Sequence, residues 1–163
     1  MKIKVILLAF VLLALASCSA QADRITTADA REIASIIEES APSSFGYCDV
    51  SEYYEESFFD DMSDLLQCYV FKCNESTNFN EFGIFEFESP SDAKKNEIII
   101  KNYLVKSRQD FENGIIYNTA EYPKFKNATL RRYGNLVVYT ILNSDEADKA
   151  YSEISNYINQ SKA

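Results

Sequence analysis

Histidine and tryptophan are both absent from this 163-residue chain, and basic charge is scarce, with 16 Lys+Arg against 25 Asp+Glu and a net charge of −9. The missing histidine removes the usual general base and the commonest metal ligand. Serine–histidine and cysteine–histidine catalysis are excluded, as are zinc sites built on histidine. The acidic balance argues against nucleic acid, which needs a basic patch. No apolar run reaches the roughly twenty residues that span a bilayer. What remains is ordinary: 47% hydrophobic and 25% charged residues, a composition that excludes wholesale disorder and collagen-like repeats. The length fits one domain.

The first eighteen residues address the protein. Lys2 and Lys4 form a short positive region, and Val5 to Ala16 is an apolar run of twelve residues. That length suits the core of a secretory signal. Leu15-Ala16-Ser17-Cys18 follows directly and resembles the bacterial lipobox, in which small residues precede a cysteine that becomes the mature N-terminus. The resemblance implies a diacylglycerol on the Cys18 thiol and a further acyl chain on its amine. Two or three chains anchor stably where one is marginal. An ordinary secretory signal that happens to contain Cys18 is the plainer alternative. The expected organisation is a signal peptide over 1–17, a lipidated N-terminus and tether over 18–26, and one globular α+β domain over 27–163.

Within that domain Thr27 is placed to cap a helix, with Asp29 near its positive end. Ala30, Ile33, Ala34 and Ile37 make one apolar stripe, and Pro42 to Gly46 end the helix. Residues 47–66 carry seven carboxylates and no cation. They read as an acidic covering segment, and the spacing of Tyr54, Phe58 and Met62 allows a helix. Cys68 to Cys73 and Glu81 to Phe87 read as strands joined by the polar loop Asn74 to Asn80. Ser89 as N-cap and Pro90 at the first position start a helix that runs to about Asn113-Gly114. Its buried side holds Ala93, Ile100, Leu104 and Phe111.

Gly134-Asn135 is a two-residue hairpin turn. It opposes Tyr133 to Leu136, Arg131 to Val138 and Leu130 to Tyr139, and the faces separate by parity. Leu130, Arg132, Val137, Tyr139 and Ile141 share the expected core face. Thr129, Arg131, Tyr133, Leu136, Val138 and Thr140 share a mixed face, as a partly exposed sheet surface would. A last helix starts near Asn143 or Ser144, with Ala147, Ala150, Tyr151, Ile154 and Ile158 as its stripe. Two hairpins with interleaved helices, in the order α-β-β-α-β-β-α, predict an α+β fold on a four-stranded, mainly antiparallel sheet.

A family resemblance rests on several of these pieces in order. They are Glu81-Phe82-Gly83-Ile84-Phe85, the helix after Ser89 ending in Gln109-Asp110-Phe111, Asn127-Ala128, the hairpin Tyr133 to Val138, and the helix start from Ser144 to Tyr151. Together, over about Cys68 to Ile158, they resemble a bacterial lipoprotein family known as domain of unknown function 4358. The resemblance implies a cell-envelope lipoprotein, of a Gram-positive bacterium. It supplies no activity, substrate or catalytic residue. The acidic segment and the cysteines match no pattern of that family.

Candidate sites are few. Cys48, Cys68 and Cys73 would lie outside the cytoplasm, where disulfides persist. A straight strand holds Cys68 and Cys73 about 16 Å apart, beyond the roughly 7 Å a disulfide allows. Cys48 is therefore the candidate partner, with Cys68 or with Cys73, and three buried thiols acting as small hydrophobes are the alternative. No CxxC motif is present, and no histidine activates a thiol. Asp60, Asp61 and Asp64 lack calcium-loop spacing and read as a solvated acidic face. No motif for a cofactor or metal is found.

Residues 23–64 hold 12 acidic and 2 basic side chains, whereas 65–163 hold 13 and 12. The acidic part could fold against Lys124, Lys126, Arg131 and Arg132, or face a cationic partner. Arg131, Tyr133, Leu136 and Val138 form a candidate binding face, since Tyr and Arg are common at interface hot spots. Alternatively the N-terminal helix covers that face with Ile33 and Ile37. The functional expectation is a non-enzymatic binding or accessory lipoprotein of the envelope. Its partners would be the membrane, through Cys18, and an envelope protein or ligand. The alternatives are a carboxylate-based cell-wall hydrolase and a structural lipoprotein that self-associates.

Overall fold

The computed structural model describes residues 24–114 and 119–161. The signal segment and Cys18 lie outside the described residues. The elements, in order, are α1 (Ala30–Ser40), β1 (Tyr47–Asp49), α2 (Ser51–Phe58), β2 (Leu65–Cys73), β3 (Glu81–Phe87), α3 (Pro90–Glu112), α4 (Tyr122–Lys126), β4 (Thr129–Tyr133), β5 (Leu136–Ile141) and α5 (Ser144–Gln160). The strands form one antiparallel sheet in the order β1-β2-β3-β5-β4. The fold is α+β, as the alternation of elements implies, but the sheet has five strands rather than four. The extra strand, β1, pairs Tyr47 with Cys73 and Asp49 with Phe71 at the edge. At three residues it is too short to show alternation.

The acidic segment 47–66 accordingly resolves into β1, α2 and the first residues of β2. β2 begins at Leu65, three residues earlier than the sequence suggests, because its register shifts between Leu65 and Gln67. Such an irregularity breaks the period-two pattern that marks a strand. α2 includes Tyr54 and Phe58 but ends before Met62.

Helix ends follow local chemistry. Asp29, not Thr27, caps α1, its carboxylate accepting from the Arg31 N–H at 2.7 Å. Ser89 caps α3 by accepting from the Asp92 N–H, with Pro90 at the first position. Asn143 and Glu146 form a reciprocal capping box at the start of α5. The β4–β5 register is the one that Gly134-Asn135 dictates, Tyr133 opposite Leu136 through Thr129 opposite Thr140. Gly134 has φ +64° while Asn135 does not have a positive φ. That matches a type II′ turn, which places glycine first.

Helices cover both faces of the sheet. On one, α1 and α5 bury Ile33, Ile37, Tyr151 and Ile154 against Phe82, Ile84, Leu136 and Val138. On the other, α2, α3 and α4 bury Tyr54, Ile100, Tyr103 and Phe125 against Phe85, Val137, Tyr139 and Ile141. The central strands β3 and β5 are therefore apolar along most of their length, without in–out alternation. The sheet has two distinct ends. One carries the Gly134-Asn135 turn, the start of β2 and the end of β3. The other carries Glu81, Lys72 and Ile141.

Candidate functional site

Odd-numbered residues of β3 face α3. Glu81 thus shares a face with Gly83, Phe85 and Phe87, and is only 3% exposed. A buried carboxylate is costly unless every lone pair finds a donor. Three tyrosines from three elements supply them. The Tyr103 hydroxyl of α3 donates to Glu81 Oε1 at 2.6 Å, and the Tyr139 hydroxyl of β5 donates to the same oxygen at 2.7 Å. The Tyr54 hydroxyl of α2 donates to Oε2 at 3.0 Å. Lys72 Nζ, on the neighbouring strand, lies 3.4 Å from Oε2 and 5.7 Å from the centre of the Tyr54 ring. Every neighbour is a donor, which matches an acceptor-only carboxylate with about four lone-pair sites.

Backbone geometry makes room for this cluster. Gly83 opposes Tyr139 across β3 and β5, and a Cβ at position 83 would collide with the Tyr139 ring. The absent side chain lets the ring cross β3 and reach Glu81. Tyr103 then packs edge-on against Phe58 and Phe59.

Burial perturbs these groups. It pushes the Tyr103 and Tyr139 hydroxyls well above the ordinary value of 10.0, and the Glu81 charge adds to the effect. Tyr54 is raised for the same two reasons. Burial lowers the Lys72 ammonium, but Glu81 and Tyr54 acting together outweigh it and the net shift is upward.

A cavity of about 170 Å³ opens beside the cluster, with Glu81 and Tyr103 at its floor and Phe58, Phe79 and Phe125 among its walls. Lys106 and Asp110, also in its lining, pair with each other at 2.6 Å. Nearby, buried Lys124 bridges Glu121 at 2.6 Å and Asn78 at 2.9 Å. The Glu121 carboxylate also accepts from the Phe79 N–H at 2.8 Å. This ties the Asn74 to Asn80 loop to α4 and fixes the Phe79 wall. A wall-glycan hydrolase would need one carboxylic acid free to protonate a leaving group and a second free to act on water or sugar. Glu81 and Asp110 share the cavity, but Lys72 and three phenols occupy the first, and Lys106 the second. The arrangement is suited to holding a small ligand between aromatic walls.

The residues singled out from the sequence fall elsewhere. Tyr133 is 8% exposed, and Leu136 and Val138 are fully buried beneath α1 and α5. The mixed face is therefore core, and the alternative in which Ile33 and Ile37 cover it is the one observed. Its polar members Thr129, Thr140 and Arg131 find partners internally, whereas the buried Tyr133 hydroxyl has no hydrogen-bond partner among the described residues. The Tyr151 hydroxyl donates to the Thr129 carbonyl at 3.0 Å, and the Arg131 guanidinium lies 4.3 Å from the centre of the Tyr151 ring. Arg131 alone of the four remains exposed.

Cys48, Cys68 and Cys73 are free thiols. Cys48 pairs with Lys72 and Tyr47 with Cys73, so Cys48 and Cys73 point to opposite faces of the sheet. Cys68 shares a face with Cys48 but lies four residues along β2 from its partner position, roughly 13 Å. Neither pairing meets disulfide geometry. Burial pushes the Cys68 thiol up to about 12, with Glu55 and Asp49 adding to it, so this thiol is unreactive at neutral pH.

The acidic segment covers the sheet by burying Tyr54 and Phe59, while Glu52, Glu55, Glu56 and Asp60 line an open surface groove. Two of the four basic residues considered as its partners pair elsewhere, Lys124 with Glu121 and Arg132 with Glu97, and Arg131 stacks over Tyr151. Among the described residues no group of three or more Cys, Asp or Glu side chains is placed to hold a metal ion. No helix among them is long and apolar enough to cross a membrane.

Sequence reasoning missed Glu81 and its tyrosines. The one signal present was a carboxylate in phase with Gly83, Phe85 and Phe87 on the apolar face of a strand. No protein-family model, curated protein or solved structure matches this chain.

Proposed function

We propose that this chain is a lipid-anchored protein of the bacterial envelope, held to the membrane through Cys18, whose domain serves as a binding or accessory module. The single observation that carries this reading is the sequence Leu15-Ala16-Ser17-Cys18 immediately after a twelve-residue apolar run. Kinship with the lipoprotein family of domain of unknown function 4358 belongs to the same proposal. The aromatic cavity beside Glu81 supports the binding role. Its polar groups are already paired within the protein, and its walls are Phe58, Phe79 and Phe125. Small-molecule sites combine such apolar walls with a few fixed polar groups.

Crosslinking in the native cell tests the proposal, comparing wild type with Cys18→Ala. Wild type is expected in the membrane fraction with a discrete neighbour, and Cys18→Ala is expected to lose both. Equal membrane association of the two forms would overturn the anchoring. A neighbour captured equally by both would separate the binding role from the anchor.

A further inference from the structure

The chain enters the domain at one end of the sheet, and the aromatic cavity opens at the other. Arg24 to Thr26 lie on the β4–β5 turn. The Thr26 N–H donates to Asn135 Oδ1 at 2.8 Å, and a Cβ on Gly134 would collide with the Arg24 carbonyl oxygen. Asn135 is in turn bound to the end of β3, its carbonyl accepting from the Phe87 N–H at 3.0 Å and its amide donating to the Phe87 carbonyl at 3.1 Å. Phe87 pairs with Leu65 at the start of β2. Two exposed apolar side chains stand at this end, Ile25 at 63% and Leu66 at 55% exposure. Phe45, also 63% exposed, belongs to the opposite end, where the Asn74 N–H donates to the Gly46 carbonyl at 3.0 Å.

From these positions we infer that the β4–β5 turn end is the surface apposed to the lipid bilayer, with Ile25 and Leu66 in the headgroup region and the Glu81 cavity turned outward. The inference rests on the lipid anchor proposed above. Cys18 and Arg24 are six residues apart, a reach of roughly 20 Å at full extension. β2 alone, with nine residues, separates the two ends by about 26 Å at 3.3 Å per residue. A tether fixed at the turn end is therefore too short to let the opposite end meet the membrane.

The test uses the full-length lipidated chain and phosphatidylcholine vesicles carrying a nitroxide at the headgroup. The chain has no tryptophan, so Leu66→Trp and Phe45→Trp each give a single reporter, both at exposed positions. Vesicle binding is expected to blue-shift and quench the Leu66→Trp variant and to leave the Phe45→Trp variant unchanged. Ile25→Trp repeats the first arm, so that a folding defect in one variant does not decide the result. Equal quenching at both ends, stronger quenching of Phe45→Trp, or quenching at neither, in protein that still floats with the vesicles, overturns the orientation and leaves the anchor standing. Protein that does not float overturns the anchor, and the orientation with it.

Discussion

The ring of Tyr139 occupies the space that a side chain at Gly83 would fill, and from there its hydroxyl reaches Glu81. The cluster thus depends on an absence in one strand and a long side chain in the next. Gly83→Ala forces the Tyr139 ring aside, with no flexible chain end to yield. A loss of about 1–3 kcal/mol is expected, as for overpacking elsewhere. Urea unfolding measures it, and a neutral or stabilising result would contradict the stated contact.

Replacing the carboxylate tests the network itself. Glu81→Ala leaves three buried hydroxyls and Lys72 without their common acceptor. It should cost at least about 1–3 kcal/mol, the penalty for leaving even one buried donor unsatisfied. Glu81→Gln keeps one carbonyl oxygen but turns an amide N–H₂ toward donors, and about 1–3 kcal/mol is expected. If the alanine variant unfolds at the same urea concentration as wild type, Glu81 is not the hub described.

Alkaline pH acts on the same groups, and the sign follows from linkage. Burial raises Cys68 from 9.0 to about 12, and Tyr47 and Tyr151 from 10.0 to about 12. Tyr103 and Tyr139 are also raised well above 10.0. A raised value in the folded state stabilises below the unfolded value and is lost as pH climbs through the folded one. The melting temperature should therefore hold steady to about pH 9 and fall between pH 9 and 12. A melting temperature that rises across that window would reverse the sign and refute the assignment.

The helix stripes and the second hairpin were readable because each repeats a pattern locally. Ala30, Ile33, Ala34 and Ile37 recur at helical spacing, and Gly134-Asn135 fixes the register of its flanking strands. The turn does not say what lies on each face. Leu136 and Val138 looked half exposed because Thr129, Arg131 and Thr140 share their side, yet Tyr151 of a distant helix satisfies those polar neighbours. β1 was hidden by its length. The Glu81 site was hidden by its assembly, since Tyr54, Lys72, Tyr103 and Tyr139 come from four elements that meet only after folding.

The cysteines give an independent check on register. With Cys48 and Cys73 on opposite faces and Cys68 four residues away, no pair closes. Ellman titration of the denatured, unreduced domain should count three thiols, from Cys48, Cys68 and Cys73. A single thiol would mean that a disulfide forms and that the β1–β2 pairing is misplaced.

The lipid on Cys18 is the claim on which the cellular reading turns. Mass spectrometry of the N-terminal peptide, from protein extracted out of membranes, addresses it most directly. The account predicts a peptide that begins at Cys18 and carries a diacylglyceryl thioether. A peptide that begins elsewhere, or an unmodified Cys18, would contradict it.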